Sequence, residues 1–143
     1  MDEGRVPGFR HVAVEFEGAA EEERANDAQL AWAVLSFDVA YLPKVDAPAE
    51  GRLKLTGYLT GGATPKLVFL KRVLPNRKTQ PTVDADDGLR MYLVGVARRA
   101  WKLVAQYRER NGEDPNSPVL PGWAYVASKN RSGEGWTVQK VRR

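Results

Sequence analysis

From Phe9 to Glu17 apolar and polar positions alternate, with Val12, Val14 and Phe16 on one side and His11, Ala13, Glu15 and Glu17 on the other. A period of two marks a half-buried strand, and Gly18 closes it. Residues 19–28 are acidic and polar, and fit either a short helix or an exposed connection. Residues 30–42 are too apolar for periodicity to arbitrate. Leu30, Val34, Phe37 and Tyr41 fit a helical face, while Leu35, Phe37, Val39 and Tyr41 fit a strand face equally well. The β-branched and aromatic content, closed by Pro43, favours a strand.

Alternation returns from Arg52 to Thr60, where Leu53, Leu55 and Leu59 oppose Arg52, Lys54, Thr56 and Tyr58. A Gly-rich turn over 61–65 separates this run from a third apolar one, Lys66 to Leu74, which together predict a hairpin. Residues 43–51 and 75–81 read as loops, each bounded or interrupted by proline.

The pattern then changes period. Leu89, Leu93, Val96, Ala100, Leu103, Val104 and Tyr107 recur at helical spacing, with Arg98, Arg99, Lys102 and Gln106 opposite them. This predicts an amphipathic helix over about 85–110. Asp84 is placed to cap it, Asp87 favours its positive end, Arg108 and Arg110 favour its negative end, and Asn111-Gly112 stops it. After the proline-bearing stretch 112–121, the runs 123–128 and 136–141 predict a C-terminal β-hairpin around residues 129–135. The expected fold is one α+β domain spanning 1–143: an antiparallel sheet of five to six strands with one long helix packed on it.

Charge divides this chain. Residues 1–50 carry eleven acids against four Lys/Arg, a balance of −7, and residues 51–143 carry seven acids against eighteen, a balance of +11. The net value of +4 conceals that split. Such a division implies an anionic partner for the basic part, or neutralisation of one part by the other. Cysteine is absent, which removes disulfides, thiolate metal sites and a Cys nucleophile and fits a reducing compartment. The first residues are acidic with no apolar stretch of signal-peptide type, and no run is long enough for a membrane helix, so a cytoplasmic chain is expected.

Chemistry has few carriers. His11 is the sole histidine, and neither a nucleophile elbow nor a phosphate-binding glycine loop is present. Two carboxylate groups could hold Mg²⁺: the cluster Asp84, Asp86 and Asp87, which helix capping explains, and the pair Glu15 and Asp38, which lacks a third acid. No catalytic residue, metal site or cofactor is therefore assigned, and a metal-dependent nuclease ranks third among the readings.

Basic residues beside aromatics are more informative. Tyr58 is interleaved with the group Arg52, Lys54, Arg77 and Lys78, and Trp123, Tyr125 and Trp136 with Lys129, Arg131 and Lys140. Cations that neutralise phosphates and rings that stack on bases are the elements of nucleic-acid binding. The leading expectation is a non-enzymatic nucleic-acid-binding module using Arg52, Lys54, Arg77, Lys78, Lys129, Arg131, Trp136 and Lys140. The alternative is a regulator or assembly subunit that docks on a nucleic-acid-handling complex such as a polymerase through Trp101, Arg98 and Val94 and a sheet edge. Opposite charge halves or a free sheet edge would also permit self-association.

Overall fold

Strict alternation produces strands where the sequence predicts them. A computed structural model describes residues 8–41, 52–61, 66–73, 87–130 and 135–143. Among these, β1 (Gly8–Glu17), β2 (Gln29–Tyr41), β3 (Arg52–Thr60) and β4 (Lys66–Val73) form a meander of consecutive antiparallel neighbours. The ambiguous segment is strand: β2 runs between β1 and β3 through Tyr41. The acidic connection holds only a 3-10 turn, Glu21–Glu23.

Helix α1 (Asp87–Arg110) follows, then β5 (Trp123–Asn130) and β6 (Thr137–Arg142). The six-stranded order is β4-β3-β2-β1-β5-β6, so the chain leaves one edge of the sheet and returns beside β1. The helix spans the face between those two points. It approaches β5 and β1, and also both edge strands, as a twisted sheet curving around a helix requires. The observed architecture is the expected α+β one, with the helix packed on an antiparallel sheet and a hairpin pairing β5 with β6. Among the described residues no helix is long and apolar enough to cross a membrane.

One face of the sheet supplies the core. Val12, Val14 and Phe16 from β1, Ala31, Ala33 and Leu35 from β2, Leu59 from β3 and Tyr125 and Ala127 from β5 are buried against the helix. The alternate positions Ala13, Glu15, Glu17, Trp32, Val34 and Ser36 are half-buried. On the helix the buried line runs through Leu93, Ala97, Ala100, Trp101, Val104 and Arg108, an arc of roughly 100° rotated around the helix from the expected one. This corrects the expected stripe. Val96, Leu103 and Tyr107 flank the buried line, and Trp101, which the expected stripe does not include, is buried within it. The Trp101 indole is 6% exposed and meets the Phe16 ring edge-on, centroids 5.0 Å apart.

Two glycines shape the end of the molecule where α1 stops. A side chain at Gly18 would place its first carbon 1.8 Å from the Leu120 carbonyl oxygen, so only glycine allows this close approach of backbones. Gly112, with φ of 75°, ends α1 in the left-handed conformation predicted for it. Its N–H donates to the Glu109 carbonyl and the Glu113 N–H donates to that of Arg108, the paired bonds of a Schellman motif.

Candidate nucleic-acid interface and adjoining cleft

The C-terminal hairpin forms by alternation on both of its strands, and register then assigns its side chains to faces. Lys129 pairs with core-facing Val12, Tyr125 pairs with Lys140, and Trp123 pairs with Arg142. Cross-strand partners project to the same face, so Lys129, Lys140 and Arg142 share the helix side of the sheet with Trp123 and Tyr125. Trp136 and Val138 complete that side and pack against the core. Lys129, Lys140 and Arg142 are exposed, and the two indoles are half-buried.

Cations and rings meet here directly. Lys140 Nζ lies 5.1 Å from the Trp123 ring centroid and Arg142 Cζ lies 5.2 Å from it, on the scale of cation–π contact. Among the described residues, Arg142 and Lys129 have no carboxylate partner.

Beside this platform is a cleft of about 460 Å³, lined among others by Arg24, Arg108, Glu113, Tyr125 and Lys140. Its walls follow from local rules. The Schellman turn folds Glu113 back over the last turn of α1, beside Arg108. An Asp114 side chain accepts from the Asn116 N–H, making an Asx turn that delivers Ser117. Ser117 then accepts from Arg108 twice, carbonyl from Nη1 and hydroxyl from Nη2, each at 3.0 Å. Val119 is anchored by donating to the Leu30 carbonyl, and Pro121-Gly122 turns the chain into β5 with Gly122 at φ 85°.

Arg108 is 4% exposed and its charge is held in place by Ser117. Its Nε makes no hydrogen bond, and lies 3.5 Å from Glu113 Oε1. That carboxylate has two closer partners. The Tyr125 hydroxyl donates to Oε1, and Lys140 Nζ donates to Oε2 at 3.0 Å. Partial burial raises the Glu113 carboxyl, but the hydrogen bonds from Tyr125 and Lys140 and the nearby charges bring it below its ordinary value. Burial, then the bond to Glu113, raises the Tyr125 phenol, while the same carboxylate raises Lys140.

Three of the sequence-predicted residues are thus brought to one side of the hairpin: Lys129, Trp136 and Lys140. The others are not gathered with them. By backbone register Arg52 pairs with Asp38 and Lys54 with Ser36 on β3, four strands from β6 in the sheet order. At about 4.8 Å per strand this is roughly 19 Å of sheet. Arg77, Lys78 and Arg131 lie outside the described residues, as do Asp84, Asp86 and the loops 43–51 and 75–81. Arg98 is exposed and Val94 half-buried, but the buried Trp101 presents little ring to a partner.

The pairing of Glu15 with Asp38 as metal ligands is not favoured by register. Asp38 sits opposite His11, four residues along β1 from Glu15, or about 13 Å. Glu15 instead accepts two bonds from Arg143, at 2.7 and 2.5 Å. Sequence reasoning missed Arg24, Arg108, Glu113 and Ser117. Arg108 has a usable signal, since it continues the buried helical line that starts at Leu93. No family model matches the chain, and no curated protein or solved structure is found to be similar to it.

Proposed function

We propose that this protein is a non-enzymatic binding module for nucleic acid, and that the helix side of the β5–β6 hairpin is the contact surface. The observation supporting this reading is the pair of cations, Lys140 and Arg142, resting on the half-exposed Trp123 ring. Lys129 and Trp136 extend the same surface along the strands. Cations of this kind neutralise phosphates, and an indole framed by them offers a stacking face to an unpaired base. Arg52, Lys54, Arg77, Lys78 and Arg131 stay in the proposal as added phosphate contacts only for a strand long enough to reach them.

Fluorescence anisotropy with labelled single- and double-stranded DNA and RNA at two salt concentrations tests it. Lys129→Ala and Lys140→Ala should each flatten the salt dependence, by roughly 0.7 units of log–log slope per lost contact on a single strand. Trp136→Ala or Trp123→Ala should weaken binding by about 1–3 kcal/mol with the slope nearly unchanged. Circular dichroism of both Trp variants separates lost stacking from a lost hairpin. Absence of binding to every oligonucleotide at low salt overturns the reading.

A further inference from the structure

The cleft beside the hairpin leaves one buried donor unsatisfied. Two donors reach Glu113: Tyr125 donates to one oxygen and Lys140 to the other. The buried Arg108 Nε is left without a hydrogen bond, 3.5 Å from an oxygen already engaged. Ser117 holds the two Nη atoms, so the guanidinium cannot turn away to find water. Arg24 adds a third cation to the lining, and among the described residues it has no ion-pair partner. Two positive side chains, Arg108 and Lys140, thus meet one carboxylate in a cleft that a third cation also lines.

We propose that this cleft binds a phosphate monoester, with Glu113 as the internal carboxylate that it displaces. A terminal phosphate carries about −1.5 to −2 charge at neutral pH and presents three oxygens. It can satisfy Tyr125, Lys140 and the orphaned Arg108 Nε together, whereas Glu113 as it sits leaves that Nε without a hydrogen bond. Glu113 is free to leave because it is a partly exposed side chain just beyond the helix stop, while its backbone stays tied to Arg108. The cleft's volume of about 460 Å³ is in the range that takes a nucleotide-sized ligand. Trp123 lines the same cleft, so a base attached to the bound phosphate has a ring within reach. The inference rests on the nucleic-acid reading for the nature of the esterified group, and the ligand is either the phosphorylated end of a strand or a free nucleotide.

Calorimetric titration of the full chain distinguishes the two sources. The probes are inorganic phosphate, a nucleoside and its monophosphate, and one oligonucleotide with hydroxyl ends or with a phosphate at either end. The phosphorylated forms should bind about tenfold more tightly than their hydroxyl counterparts, the worth of one charged hydrogen bond. That preference should fade as pH falls through about 6, where the dianion is protonated. Glu113→Gln, which keeps an oxygen for Tyr125 and loses the competing charge, should tighten phosphate binding severalfold. Lys140→Ala should weaken it by about tenfold. Thermal melts of both variants confirm that the fold is intact, and Tyr125→Phe serves in place of either one that fails to fold. Oligonucleotides that bind equally with and without a terminal phosphate, with inorganic phosphate and the monophosphate silent, overturn the cleft inference and leave the hairpin reading standing. A monophosphate that binds while no oligonucleotide does overturns the hairpin reading and assigns the cradle to a free nucleotide.

Discussion

Lys140 and Arg143 are close neighbours in the chain, and each is tied to one carboxylate, yet the two contacts are built for different ends. Arg143 donates to both oxygens of Glu15, and the Glu17 charge acts on it as well, so acid is in excess around this cation. Lys140 shares Glu113 with the Tyr125 hydroxyl and the Arg108 guanidinium, and Arg24 lines the same cleft. The first contact joins one acid of the first third of the chain to one base of the remainder. The second gathers two cations on one carboxylate and still leaves the buried Arg108 Nε without a hydrogen bond. Ion pairs of similar length differ in what they leave over, and an unsatisfied donor is what a ligand can use.

Breaking the cleft should cost far more than breaking the outer pair. Arg108→Ala removes a buried cation and leaves the Ser117 carbonyl without its donor, so the expected loss is about 3–5 kcal/mol in urea unfolding. A loss below about 1 kcal/mol would mean that Arg108 is effectively solvated. Gly18→Ala comes next. Its new carbon would fall 1.8 Å from the Leu120 carbonyl oxygen, and backbone has to move to admit it. A destabilisation of about 1–3 kcal/mol is expected from such overpacking. Because Leu120 and Pro121 line the cleft, this variant should disturb phosphate binding while leaving the Glu15–Arg143 contact in place.

The two contacts also differ in how far the sequence discloses them. Strand alternation is a local signal, so the core-facing set Val12, Val14 and Phe16 and the hairpin of β5 with β6 are legible without a structure. The helix is legible in extent from its stop at Asn111-Gly112, while its phase is not. The expected stripe steps by three residues from Leu93 to Val96 and again from Ala100 to Leu103, drifting off the line that buries Trp101 and Arg108. The cleft is illegible for a different reason. Arg24, Arg108, Glu113, Tyr125 and Lys140 come from separate segments and meet only through strand register and a helix-end turn. Gly18 reads as the end of a strand, and its need for glycine arises from contact with the distant loop that carries Leu120.

A smaller effect follows from acid and base. Glu113 titrates below its ordinary value of 4.5 in the folded chain, so its contribution to stability is complete above that value and is lost as pH falls through the lowered one. Tyr125 and Lys140 are raised above 10.0 and 10.5, so their contributions are complete below pH 10 and are lost as pH rises through the raised values. The network therefore supports the fold fully between about pH 4.5 and 10. Its worth at a partly exposed site is about 1 kcal/mol. Melting temperature against pH for the native chain and Glu113→Gln should show a gap that closes below about pH 4.5. A gap of constant size across the acid range would remove Glu113 titration as its cause.

The smallest expected change is at the outer pair. Glu15→Gln keeps the size of the side chain and one acceptor oxygen for Arg143, and removes only the charge. Arg143 is half exposed, so water and salt take over much of what the carboxylate supplied. The melting temperature should shift by no more than about a degree or two, less still at high salt, as for other solvent-screened exposed pairs. Binding offers the sharper readout. Losing Glu15 adds one positive charge to the balance of the chain without touching the helix side of the hairpin. Oligonucleotide affinity should then rise slightly through the general field, while the preference for a terminal phosphate stays as it was. If Glu15→Gln changes that preference as strongly as Glu113→Gln does, the two carboxylates act through net charge alone, and the cradle around Arg108 has no special standing.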